Sequence, residues 1–174
     1  MSQPRKVIDV SAVLGVKVLC DDAPADERLD RPFSAEVHFL PGAKSARHIH
    51  PRQDESYRVL SGKLDLLLDG QWHTLGPGES LDIPKGKVHA FRNSTNEITK
   101  TVNTHDPGLR FQEYLEVMQK LIQEGKVTSM TGPRSGIYLS LHSLEFRDVV
   151  VTVRPPDRFI KLMARIGRSL GYKL

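Results

Sequence analysis

The chain has 174 residues, of which 39% are apolar and 26% charged, with one cysteine and a net charge of +4. This balance allows one packed domain of ordinary size and excludes a disordered chain, a collagen-like repeat and a disulfide scaffold. Residues 154–174 carry six basic groups and one acid, leaving −1 elsewhere, which is not the charge distribution of a uniformly basic nucleic-acid binder.

No apolar run approaches the roughly 18 residues of a membrane span. The N-terminal segment is interrupted by Asp9 and lacks a signal-peptide core. Lone Cys20 fits a reducing compartment. The expectation is a soluble, cytoplasmic protein with no membrane and no nucleic-acid partner.

Texture divides the chain into three parts. Residues 1–32 form an N-terminal segment expected to pack on the middle part. From 33 to 105, short alternating apolar runs are cut by Gly, Pro and Asp turns every eight to twelve residues, the pattern of an all-β sandwich or barrel. Strands are predicted at 34–40, 47–51, 55–62, 80–84, 88–93 and 97–105, with a hairpin over 63–75 turning on Asp69-Gly70. From 106 to 174 the period changes to about 3.6. Asp106-Pro107 is read as a helix start, and Phe111, Tyr114, Leu115, Met118, Leu121 and Ile122 recur at helical spacing up to Gly125. A weaker helix is predicted over about 134–146, with a strand as the competing reading of its end. A third comes after Pro155-Pro156, with an apolar stripe of Phe159, Leu162, Met163, Ile166 and Leu170. Its basic residues, lying mainly opposite that stripe, are read as a solvated face or one paired with a second subunit.

Two segments carry the chemistry. The first runs from Gly42 through His48, His50 and Glu55 to Gly62; the second runs from Gly78 through Pro84, Gly86 and His89 to Asn93. Side chains alternate along a strand, so His48 and His50 share a face, roughly 7 Å apart at Cα. Pro51 ends that strand, a short turn returns Glu55, and His89 arrives from a distant hairpin. Three neutral imidazoles and a carboxylate suit a divalent first-row metal. The competing reading is a metal-free hydrogen-bonded cluster at a barrel mouth.

These segments resemble the two signature motifs of the cupin superfamily, G-x5-H-x-H-x3,4-E-x6-G and G-x5-P-x-G-x2-H-x3-N. All ten defining positions are filled, and fifteen residues separate Gly62 from Gly78. The resemblance covers about residues 33–105. It implies a mainly β fold, a double-stranded β-helix (jelly-roll) barrel of the small single-domain type, here with a C-terminal α-helical extension. It also implies His48, His50, Glu55 and His89 as metal ligands, with Fe(II), Mn, Ni, Cu or Zn all acceptable to the set. Homodimers are common in the superfamily, and one is expected here.

Strand parity adds Tyr57 and Val59 to the face of Glu55, and Phe91 to that of His89, giving an aromatic pocket for a small-molecule substrate. His105, at the end of the last strand, is added as a pocket residue; His38, His73 and His142 fall outside the motifs. The leading functional expectation is a dioxygenase-type metal enzyme acting on a small oxygenated or aromatic molecule, with Glu55 as a candidate catalytic base. A metal-dependent isomerase or decarboxylase of a sugar or keto acid, and a non-catalytic binding module, are the alternatives.

Overall fold

A computed structural model describes residues 5–22 and 29–174. Residues 1–4 and 23–28 of the N-terminal segment lie outside the described residues. The alternating runs become strands β1 (Lys6–Asp9), β2 (Val16–Cys20), β3 (Phe33–Phe39), β4 (His48–Ile49), β5 (Asp54–Ser61), β6 (Leu64–Leu68), β7 (Gln71–Leu75), β8 (Ser80–Ile83), β9 (His89–Arg92), β10 (Thr99–Asp106) and β11 (Val151–Thr152). One sheet has the order β1-β2-β3-β10-β5-β8 and the other β11-β4-β9-β6-β7. Every pairing between these strands is antiparallel. The chain is mainly β, a double-stranded β-helix barrel with a C-terminal helical extension.

Period-two patterning builds the barrel interior. Val16, Val18 and Cys20 of β2, Ala35, Val37 and Phe39 of β3, and Tyr57 and Val59 of β5 are all buried. The β6–β7 hairpin turns on Asp69 (φ 49°) and Gly70 (φ 83°), the left-handed pair that matches the twist of its strands. Gly62 is needed twice over. Its φ is +79°, and a Cβ there would lie 2.9 Å from the Cα of Thr99.

Residues outside 33–105 also enter the sheets. The N-terminal segment does more than pack against the barrel, because β2 pairs with β3 and β1 extends the same sheet. Far downstream, β11 pairs with β4. The strand read over 47–51 is only two residues long, so His50 lies just beyond it.

The helices are α1 (Ser11–Leu14), α2 (Phe111–Gln123), α3 (Pro133–Glu145) and α4 (Asp157–Ser169). Asp106-Pro107 does not start a helix: Asp106 closes β10, and α2 begins at Phe111. The weaker stretch is a full helix, α3, starting with Pro133 at its first position, where a missing N–H costs nothing. It buries Ile137, Tyr138 and Leu141. Helix α4 buries Ile160, Ala164 and Gly167. A Cβ at Gly167 would fall 2.4 Å from Cγ2 of Ile137, so the small residue is what lets α3 and α4 approach. Phe159, Leu162, Ile166 and Leu170 remain exposed.

Candidate metal centre

The two sheets bring distant parts of the chain to one point. His48 on β4 is the register partner of His89 on β9, and Glu55 near the start of β5 is the partner of His105 on β10. The ligand-capable atoms of His48, His50 and His89 lie within 4.8 Å of one another, as do those of His50, Glu55 and His105. Oε2 of Glu55 is 2.9 Å from Nε2 of His89 and 3.7 Å from Nε2 of His50. Pro51 ends β4, and buried Gln53 pins the returning turn by donating to the carbonyls of Pro107 and Gly108, both at 2.8 Å.

Backbone carbonyls orient all three imidazoles. Nδ1 of His48 donates to Ala46 at 2.8 Å, that of His50 to Val149 at 2.8 Å, and that of His89 to Lys87 at 2.9 Å. A carbonyl only accepts, so Nδ1 carries the proton and each Nε2 is the free ring nitrogen. Such partners set tautomer and ring angle at metal sites. The carbonyl that holds His50 comes from the segment between α3 and β11, so the helical extension takes part in building the site.

Nε2 of His50 is buried without any hydrogen-bond partner, and Nε2 of His89 and Oε2 of Glu55 are buried with only each other, at 2.9 Å. Leaving a buried polar atom unpaired costs about 1–3 kcal/mol. One divalent cation would satisfy all three, and the donor set has the composition such a cation prefers.

The electrostatics agree. Burial, reinforced by neighbouring His89 and His50, pushes His48 down to about 3. Burial also depresses His50 and His105, so all three rings are neutral near pH 7. Burial alone would raise the Glu55 carboxyl, but the imidazoles of His105, His89 and His50 hold it well below the usual range, and it stays anionic. His89 is displaced upward, because the Glu55 carboxylate beside it outweighs its burial.

A cavity of about 130 Å³ opens against His48, His50 and Glu55. Tyr57 and Phe91 line it, together with Phe39, Phe111 and Met118. Burial, then the adjacent Glu55, pushes the Tyr57 hydroxyl well above its ordinary value, so it remains a protonated donor.

His105 does not line this cavity. It is fully buried behind Glu55, with Nε2 3.3 Å from Oε1, and Phe111 of α2 stacks on its ring at 3.6 Å. Between them lies Asn103, which sequence reasoning does not single out. Its Nδ2 donates to Oε1 of Glu55 at 3.0 Å and to the carbonyl of Ser56 at 3.2 Å, while its Oδ1 takes the Nε2 proton of His105 at 2.9 Å. A signal for it exists. The inward row of β10 reads Thr99, Thr101, Asn103, His105, and four polar residues facing a barrel core need partners there. Phe111 reads from the sequence only as part of a helical stripe.

The other histidines lie elsewhere. His38 meets Oε1 of Glu36 at 2.6 Å, His73 is half-buried on β7, and His142 is buried in α3, bonded to the carbonyl of Tyr114.

Residues 35–105 match the family model described as "Cupin domain". The quercetin 2,3-dioxygenase of Bacillus subtilis (strain 168) is 38% identical over 60 residues, 33% of this chain and 18% of that protein. A sugar phosphate isomerase structure from the cupin superfamily, from Silicibacter pomeroyi, is 29% identical with a TM-score of 0.48, covering 59% of this chain and 69% of that one. An RmlC-like cupin from Shewanella frigidimarina is 20% identical with a TM-score of 0.51, covering 62% and 87%, and shares the fold. The chain spans less than half the length of the curated relatives it matches. With both motifs filled, the barrel formed and the family model matched, the chain belongs to the cupin superfamily.

Proposed function

We propose that this cupin is a mononuclear metal-dependent enzyme of dioxygenase type, acting on a small oxygenated or aromatic molecule. His48, His50, His89 and Glu55 would hold a divalent transition metal. The observation that carries this reading is the convergence of three carbonyl-oriented imidazoles and one carboxylate, with Nε2 of His50, Nε2 of His89 and Oε2 of Glu55 buried and given no other partner. Bound there, Fe(II), Mn, Ni, Cu or Zn would supply Lewis-acid chemistry and, for a redox-active ion, oxygen chemistry.

The protein's own groups have distinct tasks. Glu55 is anionic, and only Oε1 is engaged, by Asn103. In the role of base, its Oε2 would leave the ion to take a proton from a substrate hydroxyl at the cavity floor, while Oε1 stays on Asn103. The aromatic rings of Tyr57, Phe91 and Phe111 exclude water and flank a flat substrate. The support for the oxygenase branch is the likeness to the quercetin dioxygenase, 38% identical over 60 residues; an isomerase, a decarboxylase and a binding module are the alternatives. A cytoplasmic homodimer belongs to the same proposal, with the exposed apolar edge of α4 (Leu162, Ile166, Leu170) as the surface left to cover.

The test is oxygen uptake by Fe(II)-reconstituted protein with a panel of flavonols and catechols, beside a Glu55→Gln variant. Substrate-dependent uptake that falls at least a hundredfold in the variant is expected. Turnover of a sugar or keto acid without uptake would replace the reading with an isomerase or decarboxylase. Ligand-induced stabilisation with no turnover would make the chain a binding module.

A further inference from the structure

The helical extension encloses a second cavity that the barrel site does not explain. It measures about 410 Å³ and is bounded by α2, α3, α4 and β11. It adjoins the inner cavity at Ala46, Tyr114, Met118, Met130, Val150 and Thr152, which line both. The inner cavity, at about 130 Å³, is well short of the roughly 300–1,000 Å³ of pockets that enclose drug-sized ligands. It has room for a head group alone.

The outer walls are apolar where it matters. Leu139, Phe159, Ile160 and Met163 supply side chains. Two of the cavity's polar residues are already engaged: the Ser140 hydroxyl donates to the carbonyl of Gly136 at 2.7 Å, and the His142 ring donates to that of Tyr114 at 2.9 Å; Thr131, Ser143, Thr152 and Arg154 supply the remaining polar lining. Met130 and Phe159, both nearly half exposed, mark the rim. Methionine at the junction is an unbranched, adaptable side chain that yields to a passing chain.

We infer that α2, α3 and α4 form a binding chamber for the apolar tail of an elongated, amphipathic substrate whose oxygenated head sits at the His48, His50, His89 and Glu55 cluster. The placement of the head rests on the proposed metal site; the tail chamber does not. The ligand class is a molecule with a metal-chelating oxygen pair at one end and a hydrocarbon chain at the other.

Gly136 offers the means of testing this. It lies on α3, it lines the chamber, and an added Cβ would meet nothing within 4 Å. A leucine there grows into open space instead of into a neighbour. The probes are straight-chain alkylhydroxamates from two to ten carbons, titrated calorimetrically into the full chain, zinc-loaded and again after EDTA treatment. Affinity is expected to rise roughly three- to fourfold per methylene as the tail enters the chamber. Gly136→Leu should weaken decanohydroxamate at least tenfold and leave acetohydroxamate within twofold. Phe159→Ala, a change at an exposed rim position, should weaken the longest probes severalfold in a protein of unchanged melting temperature. A flat dependence on chain length, or a slope that both variants leave intact, overturns the inference. An acetohydroxamate affinity untouched by EDTA, with the slope preserved, upholds the chamber and overturns only the metal reading.

Discussion

The side-chain amide of Asn103 holds one oxygen of Glu55, at 3.0 Å, and leaves the other turned toward His89 and His50. The same amide accepts the His105 proton, so it cannot rotate without losing both bonds. Asn103→Ala frees the carboxylate to swing and leaves buried groups unpaired. Partners of this kind are worth roughly 10–100-fold in metal affinity. Zinc affinity, measured by competition with a chromophoric chelator, should fall by that factor while the far-ultraviolet spectrum stays native. An unchanged affinity would show that Glu55 is oriented without Asn103.

The α3–α4 contact predicts a reversal of a general rule. Replacing glycine by alanine inside a helix ordinarily stabilises by up to about 1 kcal/mol. At Gly167 the new methyl would sit 2.4 Å from Cγ2 of Ile137. Overpacking of this kind costs about 1–3 kcal/mol. Gly167→Ala should therefore lower the urea midpoint, and Gly167→Ala with Ile137→Val should recover part of the loss. A raised midpoint in the single variant would mean that α4 does not pack here.

His142 gives the fold a pH dependence away from the metal centre. Burial pushes its ring down to about 4, against the smaller upward pull of its bond to the Tyr114 carbonyl. Between pH 4 and about 6.5 the unfolded chain binds the extra proton, so stability rises with pH. The contribution is complete above about pH 6.5 and is lost as pH falls toward 4. It amounts to about 3 kcal/mol. His142→Gln keeps an N–H for the Tyr114 carbonyl and removes the titration. Denaturation midpoints measured from pH 7 to pH 4 should fall less steeply in the variant. Parallel curves would assign the slope to other groups.

Much of this architecture is legible in the sequence because each strand buries one face. Alternation locates β3, β5, β6, β7 and β10 to within a residue or two, and Asp69-Gly70 announces its hairpin. The motif spacing brings out His48, His50, Glu55 and His89 for the same reason, since two turns and two strand faces determine where those side chains point. The hidden remainder depends on contacts far apart in sequence. Nothing near Val149 shows that its carbonyl will meet His50, 99 residues away. Nothing local to Lys6–Asp9 or Val16–Cys20 shows that they will extend a sheet. At α3 the helix reading holds through Glu145, and the competing strand reading of the stretch that follows survives as β11, which pairs with β4. At Asp106-Pro107 the helix-start signal is overridden, because β10 continues through Asp106 to pair with Asp54 of β5.

The site stands or falls on whether His48, His50, His89 and Glu55 close around a single cation. Anomalous diffraction from crystals grown with cobalt, compared with an identically treated His50→Ala variant, tests it most directly. One strong peak per chain is expected, within about 2.0–2.2 Å of the three Nε2 atoms and a Glu55 oxygen, and it should vanish in the variant. Wild-type crystals with no peak among these side chains, or a peak that survives loss of the His50 ring, would contradict it.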